Sequence, residues 1–86
     1  MKIYKYELGE NTVKLPLMEI LDVQIQRGKF VMWAVVNEEK HRMASVTSKF
    51  YMTGQEVDAE VLKECDFRKT LQDEMGLVWH VFLRVS

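Results

Sequence analysis

The chain has 86 residues, 48% hydrophobic and 29% charged, the balance of a folded domain and not of a disordered tail. Twelve basic residues against thirteen acidic ones leave a formal charge of −1, too weak a field to gather nucleic acid or anionic lipid by counterion release. One cysteine, Cys65, excludes an intrachain disulfide.

A single domain over residues 1–86 is expected, burying roughly 60 to 65 per cent of the surface of the unfolded chain. Its first ten residues, MKIYKYELGE, lack the unbroken apolar stretch of a signal peptide, and no segment reaches the roughly 18 apolar residues of a membrane span. With no disulfide framework, a cytoplasmic setting without membrane partners is expected.

Met1 to Leu8 reads as a strand running into a turn at Gly9-Glu10-Asn11. Val13, Leu15 and Leu17 alternate next, but Pro16 cannot donate to a ladder and places this segment at an edge or a strand start. Leu21 to Val36 then holds two strand-like runs around Arg27-Gly28, where glycine at the second loop position suits a type I′ turn that requires φ > 0. Such a two-residue loop sets Gln26 opposite Lys29, Ile25 opposite Phe30, Val23 opposite Met32 and Leu21 opposite Ala34. Paired residues share a face, so Leu21, Val23, Ile25, Phe30, Met32, Ala34 and Val36 form one apolar side. The other side pairs Gln24 with Val31, Asp22 with Trp33 and Ile20 with Val35, mixing polar groups with large apolar ones.

Asn37 to Lys40 is a charged turn, after which Ala44, Val46, Ser48, Phe50 and Met52 alternate in a third long strand, expected to return beside the second arm of the hairpin. Thr53-Gly54 ends it. Asp58 has the chemistry of an N-cap, and Val61, Leu62 and Cys65 have the spacing of a short amphipathic helix near residues 58–65. Phe67 to Leu71 is a short strand, Gln72 to Gly76 a polar turn, and Leu77 to Val85 a last strand with Leu77, Trp79, Val81, Leu83 and Val85 on one face. Six to seven strands and one short helix predict a mainly β chain, a β-rich α+β fold, built as a small antiparallel barrel or sandwich.

The runs ILDVQIQRGKFVMWAVV, KFYMTGQEV and GLVWHVF resemble a family of short bacteriophage and prophage proteins. That family's pattern is a hydrophobic-x-Val-Gln-x-Gln-x-Gly hairpin with Trp-Ala in its second strand, an aromatic strand ending in a Thr-Gly turn, and a terminal Val-Trp-His-Val-Phe. Leu21 to Val36, Phe50 to Val57 and Val78 to Phe82 carry these elements here. The turn before Leu77 is less glycine-rich than the pattern, and the charged segment from Asp58 to Asp66 is longer. The resemblance implies a viral origin and a host-cytoplasm setting, and it transfers no activity.

Trp33, beside Asp22 and Gln24 on the mixed face, is the first candidate anchor for a partner, since a rigid aromatic flanked by hydrogen-bonding groups suits one; the bland alternative is a core tryptophan covered by another strand or the helix. His80 has no nucleophile or carboxylate at an arguable spacing and reads as a structural, hydrogen-bonded histidine. Cys65, His41 and His80 are too scattered for a closed zinc site, Cys65 reads as a small buried hydrophobe, and no cofactor is expected. The charged run Glu38 to Arg42 reads as a solvated turn. Six methionines serve as core filling or as an adaptable binding surface.

The expectation is therefore a non-enzymatic, phage-type accessory protein that binds a host protein and inhibits or redirects it, as an anti-defence inhibitor does, through Asp22, Gln24, Gln26, Val31, Trp33 and Val35. Strands that are apolar on both faces also suggest a homodimer. The alternative is a binder that sequesters a nucleotide-like signal, stacking it on Trp33 or Tyr51 with hydrogen bonds from Gln24, Gln26 or Arg27.

Overall fold

The computed structural model describes residues 1–39 and 42–86. Lys40 and His41, within the charged run noted above, lie outside the described residues. Among the described residues, seven strands and one helix follow in chain order: β1 (Lys2–Glu7), β2 (Val13–Leu15), β3 (Leu17–Gln26), β4 (Lys29–Val36), β5 (Ala44–Met52), α1 (Ala59–Glu64), β6 (Phe67–Gln72) and β7 (Val78–Val85). They form two antiparallel sheets, a three-stranded sheet A in the order β1-β4-β3 and a four-stranded sheet B in the order β2-β5-β7-β6. The chain is mainly β, as its alternations predict.

Pro16 explains how one run of alternating residues serves both sheets. It separates β2 from β3, ending a ladder to which it cannot donate, while its carbonyl accepts from Asn37 N at 3.0 Å. The proline is thus the corner at which the chain leaves sheet B for sheet A.

The turn at Arg27-Gly28 has φ of 52° and 76° at its two positions, the two positive values that define type I′. From it the predicted pairing holds for Gln26↔Lys29 through Asp22↔Trp33, and then a bulge intervenes. Ile20, not Leu21, stands opposite Ala34, and Glu19, not Ile20, stands opposite Val35. The extra residue, Leu21, is pushed out to 42% exposure, while Ile20 packs against the core in its stead. A second shift between Leu17 and Glu19 leaves Met18 47% exposed. Bulges of this kind bend and twist the strand that carries them.

Strand β5 forms as its alternation predicts, but not where it was expected. It pairs with β2 and β7, and the flank of β4 is already occupied by β1.

The core lies between the sheets. Val23, Met32, Ala34 and Val36 from sheet A meet Leu15, Val46, Leu71, Val81 and Leu83 from sheet B, all buried. Phe30 stacks on Phe50 at 4.4 Å and meets Trp79 edge-on at 5.6 Å, so one ring of sheet A is wedged between two of sheet B in the offset and T-shaped arrangements that aromatic quadrupoles favour. At one side β3 lies against β6. There Lys69 of β6 pairs with Asp22 of β3, tying the two sheets across their edges.

Helix α1 is peripheral and buries no side chain. Asp58 occupies its N-cap position without a side-chain capping bond, the first turn being closed instead by Val61 N donating to Asp58 O at 3.0 Å. Leu62 is exposed and Cys65 only half-buried, its thiol donating to Leu62 O at 3.5 Å. The amphipathic stripe is therefore weaker than its spacing implied. The last strand starts at Val78, leaving Leu77 in the preceding turn, 41% exposed. Among the described residues no helix is long and apolar enough to cross a membrane.

Candidate functional site

Sheet A has one face against sheet B and one facing away, and the six residues singled out from the sequence lie on the second. By register its rows run Ile3, Val35, Glu19; then Lys5, Trp33, Asp22; then Glu7, Val31, Gln24; with Lys29 and Gln26 closing the hairpin end. The central column from β4 is apolar, and β1 and β3 supply mostly polar columns on either side. This resolves the mixture of side chains that the hairpin alone left unexplained: β4 is the middle strand, and its outward side chains are screened by long polar neighbours.

The screening is concrete. Lys5 Nζ donates to Gln26 Oε1 at 3.1 Å, a bridge from β1 to β3 that crosses β4 at the level of Val31, and Lys29 pairs with Glu7 at 3.6 Å. Val31 is only 6% exposed as a result. Trp33 and Val35 are half-buried, and Gln26 is exposed. Trp33 is thus neither a core tryptophan beneath another element nor a bare ring; it fills the middle of an outward face, between Lys5 and Asp22.

Asp22 is the most constrained polar group of the face. It accepts from Lys69 Nζ and, at 2.8 Å, from Gln24 Nε2, and these two hydrogen bonds, the first foremost, hold its carboxyl below the usual aspartate range. Toward the hairpin tip, Lys5, Glu7, Gln26, Arg27, Lys29 and Val31 line a shallow open depression. Three of those six side chains are cationic and one is anionic, so this end of the face suits an acidic group.

Lys5, Glu7, Lys29 and Lys69 escaped the sequence reading. Nothing local marks them, because their roles come from β1 and β6 lying beside β4 and β3.

The nucleotide-stacking alternative loses one of its parts. Tyr51 belongs to sheet B, opposite His80 and edge-on to Phe82 at 5.7 Å, so it cannot join Trp33, Gln24, Gln26 or Arg27 in one site. His80 is hydrogen-bonded by both ring nitrogens, to Thr53 Oγ1 at 2.8 Å and Thr70 Oγ1 at 3.0 Å, a structural arrangement. A groove of 230 Å³ between α1 and the outward side of sheet B is lined by Lys49, Cys65, Phe82 and Arg84 among others. Among the described residues, no three His, Cys, Asp or Glu side chains gather as a metal site would require; His41 lies outside that set.

Comparison with curated proteins gives no match, and comparison with solved structures gives none either. Over residues 1–86 the sequence matches the family described as Domain of unknown function (DUF7352), and the chain belongs to that family.

Proposed function

We propose that this chain is a non-enzymatic accessory protein of bacteriophage type that docks on a host protein in the cytoplasm and inhibits or redirects it, anti-defence inhibition being the most concrete form. The observation that carries this reading is the outward face of sheet A: the half-buried Trp33 and Val35, continuing a column whose Val31 is covered, framed by charged and amide side chains. Protein interfaces have this anatomy, an aromatic anchor inside a polar rim. Beside that anchor the cationic hairpin end suits a partner that presents an apolar side chain next to a carboxylate.

Affinity capture from host lysate with the full chain and with Trp33→Ala tests this. A host protein retained by the first and lost with the second, both folded by circular dichroism, is expected. Equal retention by both would overturn the assignment of the face.

A second reading, sequestration of a nucleotide-like small molecule stacked on Trp33 with hydrogen bonds from Gln24, Gln26 or Arg27, ranks second because Tyr51 lies on the other sheet and the depression beside Gln26 and Arg27 is open to solvent. A nucleotide at 100 times its dissociation constant would stabilise the chain by about 2.7 kcal/mol. Such a shift in a thermal screen with cyclic nucleotides would reverse the ranking.

A further inference from the structure

Residues 56–65, with α1 at their centre, are clamped to the rest of the chain at their two ends. Ahead of them, Gln55 N donates to Met52 O at 3.1 Å, and Gln55 Oε1 accepts from Met52 N at 2.6 Å. After them, Asp66 N donates to Leu83 O at 2.8 Å, and Asp66 Oδ2 accepts from Val85 N at 2.7 Å. Between these clamps, among the described residues, no backbone hydrogen bond reaches either sheet. One polar side-chain tie crosses the gap, the ion pair of Glu64 with Arg84 at 3.0 Å, both partners about half exposed.

Little else fixes the segment in place. Isolated helices shorter than about 12–15 residues are marginal in water, and α1 has six. Asp58 makes no side-chain cap, and the helix buries no side chain. Val57, Val61 and Cys65 are half-buried while the side chains between them are exposed, so these three form the side turned toward the sheet. Beneath Val61 and Cys65 lies the 230 Å³ groove floored by Thr47, Lys49 and Phe82, in place of a packed layer. Segments with few buried contacts occupy the low end of local stability, whereas central strands open only with the whole fold.

We infer that residues 56–65 are a lid that lifts from sheet B as a unit while both sheets stay folded, opening the groove and releasing Arg84. The clamps at Gln55 and Asp66 are its two hinges. Its closed state rests on the partial burial of three side chains and on one exposed ion pair, which salt screens. Ionic strength therefore shifts the lid and leaves the sheets where they are. The lid lies on the opposite sheet from the proposed docking face and stands independently of it.

Native-state hydrogen exchange of the full chain, followed amide by amide in sub-denaturing urea, tests this. The amides of Val61 to Glu64 are expected to be slowed only about 3–100-fold relative to an unstructured chain, with little dependence on urea. Those of Met32 in β4 and Val81 in β7 are expected to be slowed about a thousandfold or more and to follow the urea dependence of global unfolding. Arg84→Thr removes the tie while keeping a strand-forming residue. It is expected to speed the lid amides by up to about fivefold and to leave Met32 and Val81 unchanged. Raising the salt to about 0.5 M should do the same to the wild-type chain and not to the variant. Lid amides that share the protection and urea slope of Val81 overturn the proposal. So do lid amides with no protection at all, which would mean no closed state, or lid amides indifferent to both salt and Arg84→Thr.

Discussion

Arg27 holds a left-handed backbone, φ 52°, alone among the described non-glycine residues, and Gly28 follows it at 76°. An L side chain in that region costs roughly 1–2 kcal/mol, which glycine avoids and asparagine partly avoids. Gly28→Ala is therefore expected to lower the unfolding free energy by about 1–2 kcal/mol, and Arg27→Asn to raise it by up to about 1 kcal/mol, both measured as shifts of the denaturation midpoint at constant slope. The strain sits on the rim of the candidate face, where the proposed docking would use a cation and not an asparagine. Asp22 supplies a pH signature. Its carboxyl is lowered first by the Lys69 hydrogen bond and then by that of Gln24, so its contribution is complete above the ordinary aspartate value of about 3.9 and is lost as the pH falls through the lower folded value. The stability gap between the wild type and Asp22→Asn should accordingly be widest near neutrality and narrow below about pH 4, as read from denaturation at stepped pH. Gly28 was legible because a turn is a local matter. The Asp22–Lys69 pair was not, because it joins positions 47 apart in sequence.

Strands were legible from alternation, and β3 marks the limit of that signal. Strict period two placed Leu21 on the core face, but a ten-residue strand leaving the Pro16 corner takes up two irregularities, and the side chains beyond each change places. Alternation cannot register an inserted residue that is itself apolar. Two leucines separate the cases: Leu15→Ala, at 1% exposure, is expected to cost about 2–5 kcal/mol, whereas Leu21→Ala should cost less than about 1 kcal/mol. Equal losses in chemical denaturation would place Leu21 in the core. The partner of β5 was illegible for a related reason. A two-residue turn commits its strands to each other, but the longer link over residues 37–43 leaves the choice to tertiary packing, and β1 holds the flank of β4. Helix α1 shows the reverse: its position was legible from the sequence, although Asp58 makes no side-chain cap and the helix gives no buried side chain to the core.

As a whole the molecule is a flat slab of 42 × 29 × 18 Å, the shape of two sheets packed about 10 Å apart, with β4 in the middle of one of them. Adjacent residues of that strand look opposite ways, Met32 into the core at 0% exposure and Trp33 onto the outward face, and the proposed docking surface depends on this division. Total stability for a chain of this length is on the order of 4–13 kcal/mol, while a lysine placed in a dry core costs several kcal/mol with no partner to offset it. A lysine on the outward face, beside Asp22, keeps its ammonium in water. The decisive measurement is the thermal and chemical unfolding of Met32→Lys and Trp33→Lys side by side. Met32→Lys is expected to be unfolded or nearly so at 25 °C, and Trp33→Lys to keep the wild-type circular dichroism with a loss of about 2 kcal/mol or less. A folded Met32→Lys, or a Trp33→Lys that fails to fold, would contradict the division of β4 and the surface built on it.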